Sequence, residues 1–157
     1  MKKAIGMFAA LMVALAMTGV GFAWWTETLN IEGSVATGEL NVDFNNPATS
    51  CDPEMTCTAT VTDPTTITVT ITNAYPCGSC VVTFEINNTG TIPAKVMAID
   101  ISNDAELDVE LENIVVGNII GVGGSKTCTL TVHVNENAQE LSEYTFTVTI
   151  DFGQFNA

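Results

Sequence analysis

Five cysteines carry most of the reactive chemistry in this chain: Cys51, Cys57, Cys77, Cys80 and Cys128. Two pairs lie close in sequence, in CDPEMTC and in CGSC. Sulfur at such spacing supports a disulfide framework, a tetrahedral thiolate site for zinc, or a redox dithiol. The five-residue gap in CDPEMTC suits zinc knuckles poorly. Cys77-Gly78-Ser79-Cys80 lies in a predicted hairpin turn rather than at a helix N-terminus, so nothing there activates a thiol. Two disulfides among Cys51, Cys57, Cys77 and Cys80 are therefore expected, with a bridge between the two loops favoured over the local pairs Cys51–Cys57 and Cys77–Cys80. Cys128 alternates with Leu130 and Val132, which predicts a buried free thiol filling core volume.

Other catalytic chemistry is thinly supplied. His133 is the single histidine and falls on the outward parity of its strand, among threonines. HExxH and GxSxG patterns are absent from the sequence, so neither a helix-borne zinc protease nor a nucleophile elbow is indicated. Glu110 and Glu112 are paired carboxylates of the kind expected on a wet strand face. The Gly121–Gly124 run precedes a strand and is no phosphate cradle. The expectation is a chain without catalysis, metal or cofactor. Asn87-Asn88-Thr89 fits the N-glycosylation pattern at Asn87, in what reads as a surface turn.

The elements that hold these residues are strands. TITVTIT, VVTFEINN, TCTLTVHV and EYTFTVTIDF alternate apolar residues with threonine at period two, the mark of a half-buried strand. ELNVDF, AKVMAIDI and ELDVELENIVV are less regular candidates. Asp63-Pro64, Tyr75-Pro76-Cys77-Gly78, Asn88-Thr89-Gly90 and the glycines after Gly121 separate them. A helical turn fits only residues 135–142. The pattern predicts an all-β, antiparallel β-sandwich of jelly-roll or immunoglobulin-like type. A meander of 57–62, 65–73 and 81–87 would gather four cysteines at one sheet edge.

Ahead of the strands runs MKKAIGMFAALMVALAMTGVGFA. Two lysines, a long apolar stretch and small residues up to Ala23 read as a signal-peptide helix cut after Ala23. An uncleaved leader would be the chain's one route into a membrane. Residues 1–23 are thus assigned as signal and 24–157 as one β-sandwich domain. After the cut, 18 acids face only Lys95 and Lys126, and the sequence has no arginine. Nucleic acid is excluded as a partner, because phosphate binding needs clustered Lys or Arg. The acidity serves solubility at a cell surface; weak divalent-cation binding between acidic surfaces is the alternative.

GFAWW, SVATGELNVDF, NNTGTIPAKV, GGSKTCTLTVHV and YTFTVTIDFGQFN, in that order, resemble the camelysin/TasA group of secreted proteins. The Cys51–Cys80 region departs from that pattern. The resemblance implies a dedicated signal peptidase, a jelly-roll fold, and a role as a subunit of extracellular fibres in biofilm matrix or bundling pili. It also implies that an N-terminal strand of one subunit completes the sheet of the next. Some members are labelled metalloproteases; no residues here support that.

Residues 24–35 then read as a donor arm. Leu29, Ile31 and Val35 alternate with polar residues, and Trp24 and Trp25 are bulky anchors. An isolated strand is unstable in water and must pair with an edge, its own or a neighbour's. The expected partners are copies of this chain or related matrix subunits, plus the signal peptidase. The competing expectation is a monomeric, immunoglobulin-like binding or adhesion module at the cell surface.

Overall fold

The structure, a computed structural model, describes residues 2–18 and 27–156. Two units emerge, residues 1–35 and residues 36–157. In the first, α1 (Lys2–Thr18) is a helix of the apolar leader. Its side chains from Lys3 to Met17 are exposed, Phe8 at 70 % and Leu11 at 57 %. Among the described residues no helix is long and apolar enough to cross a membrane. Residues 27–35 take neither helix nor strand.

The second unit is all-β, built from antiparallel strands. Its strands are β1 (Val42–Cys51), β2 (Thr56–Asp63), β3 (Thr66–Thr72), β4 (Ser79–Asn88), β5 (Ala94–Asn103), β6 (Leu107–Glu112), β7 (Ile119–Ile120), β8 (Ser125–Val134) and β9 (Phe146–Gln154). They form three sheets: a four-stranded one ordered β1-β4-β8-β6, the hairpin β2-β3, and a three-stranded one ordered β7-β5-β9.

Alternation sets the faces. Along β4, Cys80, Val82, Phe84 and Ile86 are buried while the residues between them are half-exposed; Cys128, Leu130, Val132 and Val134 do the same along β8. Each fully buried Val, Ile or Phe contributes about 1.5–3 kcal/mol. Phe84 meets Phe44 of β1 edge to face, with ring centroids 5.4 Å apart. One apolar cluster draws on residues of all three sheets. The buried amide of Asn88 has its needs met: Nδ2 donates to the carbonyls of Ile92 and Ile120, and Oδ1 accepts from the Gly90 amide. That satisfaction is what makes a polar group tolerable in the core.

The turn after β4 shows why its glycine is there. A Cβ on Gly90 would lie 2.5 Å from the Glu39 carbonyl oxygen and 2.6 Å from the Asn41 nitrogen. The amides of residues 89 and 90 donate to the Asn41 carbonyl, and those of Thr91 and Ile92 to the Glu39 carbonyl. Asn88-Thr89-Gly90 thereby ties the segment that enters β1 to the far end of β4.

Several expectations change. The meander does not form: among the described residues β3 pairs with β2 alone, while β4 pairs with β1 and β8. Asn73 turns left-handed at φ 54° and Cys77 at φ 66°, which takes the chain out of the hairpin, and β1 occupies the edge of β4 that β3 would have used. The segment ELDVELENIVV stops as a strand at Glu112, where Asn113 adopts φ 66°. Residues 135–142 form turns without a helix. The two-residue β7 was not anticipated; it exists because Ala94 and Lys95 of β5 pair with Ile120 and Ile119.

Candidate functional site

A cleft of about 1240 Å³ opens beside the hairpin β2-β3. Its floor is the apolar face of the four-stranded sheet, with Val82 and Phe84 of β4, Leu107 and Leu111 of β6, and Leu130 and Val132 of β8. One wall is the unbroken run 65–72, the turn residue Thr65 followed by all of β3; the other is the unbroken run 138–150, which leads into β9. Side chains of one strand face alternate in direction, so a wall made of every consecutive residue is a strand edge. Among the described residues, β3 has β2 as its only ladder partner and β9 has β5 as its only one. Each strand therefore has an edge with unpaired backbone donors and acceptors, a template for another strand.

The side chains of both walls are incompletely covered. Ile67, Val69 and Ile71 of β3 and Phe146, Val148 and Ile150 of β9 are half-buried. They point by parity toward the shared cluster, yet none reaches the burial of Val82 or Val132.

The expected arm falls partly outside the described residues: Ala23, Trp24 and Trp25 lie there. Leu29, Ile31 and Val35 are 84 %, 97 % and 94 % exposed. Their alternation is plain in sequence, but the described residues 27–35 take no strand to use it.

The cysteines converge by a different route from the expected meander. Cys57 of β2 and Cys80 of β4 are joined in a disulfide, with Cα atoms 6.4 Å apart. This bridge joins the two cysteine-bearing segments and fits an oxidising environment. The second expected bridge does not form: Cys51 and Cys77 are free thiols. Cys51 ends β1 directly opposite Cys80, and its Sγ donates to the Met55 carbonyl at 3.3 Å. Cys77 sits exposed in the turn, its amide donating to the Val134 carbonyl at 2.7 Å. Cys128 is a buried free thiol, and burial pushes its pKa up to about 11. Among the described residues no group of three or more His, Cys, Asp or Glu side chains could hold a metal ion.

His133 gains a neighbour that sequence reasoning missed. Ser79 lies opposite it across β4 and β8, with Ser79 Oγ 2.9 Å from His133 Nδ1, and Asp108 of β6 is opposite His133 on the other side. Matching outward parity on three adjacent strands is the only sequence signal that could have found this row. The backbone donors around Ser79 are committed elsewhere. Its own amide donates to Asp52 Oδ2 at 2.8 Å and the Gly78 amide to the Tyr75 carbonyl. Neither amide is left to stabilise an oxyanion, which acyl transfer would require.

Asn87 lies within β4 rather than in a turn, because β1 extends its pairing to that point and sets Asp43 opposite. It is half-buried, and its Oδ1 is buried with no hydrogen-bond partner.

The fold and cleft define an all-β, antiparallel protein with two unfilled strand edges facing one apolar floor. No protein-family model, curated protein or solved structure matches the chain.

Proposed function

We propose that this chain is a secreted, non-catalytic structural subunit of extracellular fibres or biofilm matrix, assembled by strand addition between copies. The cleft bordered by the edges of β3 and β9 is the observation that carries this reading. An extended segment entering it would add a strand between the hairpin β2-β3 and the sheet β7-β5-β9. The result would be one continuous layer over the four-stranded sheet, which is the sandwich of jelly-roll type expected from the sequence.

Residues 27–35 of a second copy are the proposed occupant. Leu29, Ile31 and Val35 are exposed and share one parity with their polar neighbours on the other. Apolar side chains would cover Phe84 and Leu130, while the backbone would pair with both walls, as in β-augmentation. Trp24 and Trp25 would add large apolar area at the end of the arm. Such a head-to-tail contact does not close on itself, so it propagates as a filament. The apolar helix α1 and the small residues ending at Ala23 support export and release of the arm by a signal peptidase. The resemblance to camelysin/TasA proteins points the same way.

Electron microscopy and sedimentation of the cleaved protein, with and without residues 24–31, test the proposal. Filaments are expected from the intact chain and none from the truncated one. An intact chain that stays monomeric at high concentration, with or without calcium, would instead support the adhesion-module reading.

A further inference from the structure

We infer that Cys51, Cys57 and Cys80 form a thiol–disulfide exchange centre, in which the bridge moves between Cys57–Cys80 and Cys51–Cys80 and so locks or releases the hairpin β2-β3. The exchange chemistry stands on the cysteine geometry alone; its consequence for assembly rests on the strand-acceptor reading of the cleft.

Strand register and the disulfide bring three cysteines to one end of the β1-β4 ladder. Cys51 and Cys80 are Cα partners at the end of the β1-β4 ladder, so their side chains project to the same side. At the next position the Asp52 amide donates to the Ser79 carbonyl at 3.1 Å. Hydrogen-bonded and non-hydrogen-bonded pairs alternate, which makes Cys51 and Cys80 a non-hydrogen-bonded pair, the kind with Cα atoms about 4.5 Å apart. A disulfide spans that separation without moving the backbone. Cys80 is already bonded to Cys57. The free thiol of Cys51 therefore adjoins an existing disulfide whose alternative partner it can be.

Burial makes the reaction intramolecular. Cys80 is 0 % exposed and Cys57 9 %, so thiols from solution have poor access to the bond. Cys51 is half-buried and reaches it from within the fold. The step balances without an outside oxidant or reductant. Cys51 gives its proton to water, and its thiolate attacks Sγ of Cys80. A Cys51–Cys80 bond forms, the Cys57–Cys80 bond breaks, and Cys57 leaves as a thiolate that takes up a proton. One thiol and one disulfide remain. Cys128 takes no part, because burial holds it protonated and β8 carries it away from the cluster.

The two isomers differ in what they fasten. Cys57–Cys80 ties the hairpin to the four-stranded sheet, with which it shares no ladder. The remaining polar ties include the Phe44 amide to the Pro64 carbonyl at 2.7 Å and Thr49 Oγ1 to the Cys57 carbonyl at 3.0 Å. Cys51–Cys80 would fasten only β1 to β4, which are already paired. Since β3 is a wall of the cleft, moving the bridge frees that wall to open for an incoming strand and to close when the bridge returns.

The test uses the full chain carrying Cys77→Ser, which removes the exposed competing thiol. Protein is incubated without oxidant from pH 6 to 8, quenched in acid with N-ethylmaleimide, and cut after glutamate at acidic pH. Cys51 falls in peptide 40–54 and both Cys57 and Cys80 in peptide 55–85. The Cys57–Cys80 isomer leaves these peptides separate; the Cys51–Cys80 isomer joins them and leaves Cys57 as the alkylated cysteine of peptide 55–85, whereas alkylation at Cys80 instead would overturn the proposed product. Joined peptides are expected to appear about tenfold faster per pH unit, since the thiolate is the nucleophile. They should be lost when Cys51→Ser is added. Peptide 40–54 that remains alkylated and unlinked at every pH overturns the centre. In the exchanged form, amide hydrogen exchange across 66–72 should rise on the order of tenfold through local opening; unchanged protection there overturns the link to the cleft. Neither readout depends on filaments forming, so failure here is separable from failure of the fibre proposal.

Discussion

The strands β4 and β3 share one sequence rule and end in different environments. VTFEI and TITVTIT both alternate apolar residues with polar ones. In β4 the apolar set is buried to 5 % exposure or less. In β3 it stays half-exposed. The same contrast separates β8 from β9. The periodicity is the same; the number of neighbours differs. The inner pair has a ladder on each side, while β3 and β9 each have one among the described residues. Period two tells a side chain which face to take, and pairing decides whether that face is covered. The uncovered pair borders the cleft, which is why the functional proposal rests there.

Truncation should separate the two regions most strongly. Phe84→Ala removes a ring packed beneath both regions and should cost about 3–5 kcal/mol in denaturant unfolding of the monomer. Val69→Ala on the cleft wall should cost under about 1 kcal/mol in the monomer, because a half-exposed methyl pair has less to lose. The same Val69 change should weaken filament formation clearly. Equal monomer losses for the two would mean that the cleft is closed in solution and the contrast is void.

Cys57→Ser probes the staple between the regions. The bridge closes a span of 23 residues. Its loss should lower stability by about 3 kcal/mol, read as a shift in denaturant midpoint. Protection of β3 amides should fall before that of β4 amides. Uniform loss across both strands would show that the hairpin unfolds only with the core.

The smallest effect sits at the hairpin turn. The side-chain hydroxyl of Thr65, then its amide and the Thr66 hydroxyl, hold the Asp63 carboxyl below its ordinary pKa. A depressed carboxylate stabilises the fold above the ordinary carboxylate range and ceases to do so as pH falls through the folded-state value. Asp63→Asn should therefore lower stability slightly at neutral pH, and the difference from the parent chain should vanish as pH falls below about 4. Because Asp63 is fully exposed, the effect should be slight and confined to β2-β3. A larger loss at neutral pH would mean that the turn supports the core as well.

Much of this was written in local pattern. The alternation placed β3, β4, β8 and most of β9, marked Cys128 as buried, and put His133 on the outer face. Asn88-Thr89-Gly90 and Asp63-Pro64 were readable as turns because their chemistry is local. The short β7 escaped because two residues carry no period, and the extent of β6 escaped because Ile114, Val115 and Val116 look like a strand until Asn113 turns left-handed. Ser79 was invisible as the partner of His133, since their 54-residue separation closes only through the β4-β8 register.

By itself, then, the sequence determined that this is an all-β chain with cysteines in two close pairs and an alternating segment behind an apolar leader. Those properties follow from side-chain parity and turn chemistry, which act over a few residues. Only the tertiary structure decided that β1, not β3, lies beside β4, that Cys57 and not Cys51 holds Cys80, and that two strand edges border one cleft. Strand pairing is chosen by competition between distant segments for the same backbone hydrogen bonds, and no local pattern records which segment wins.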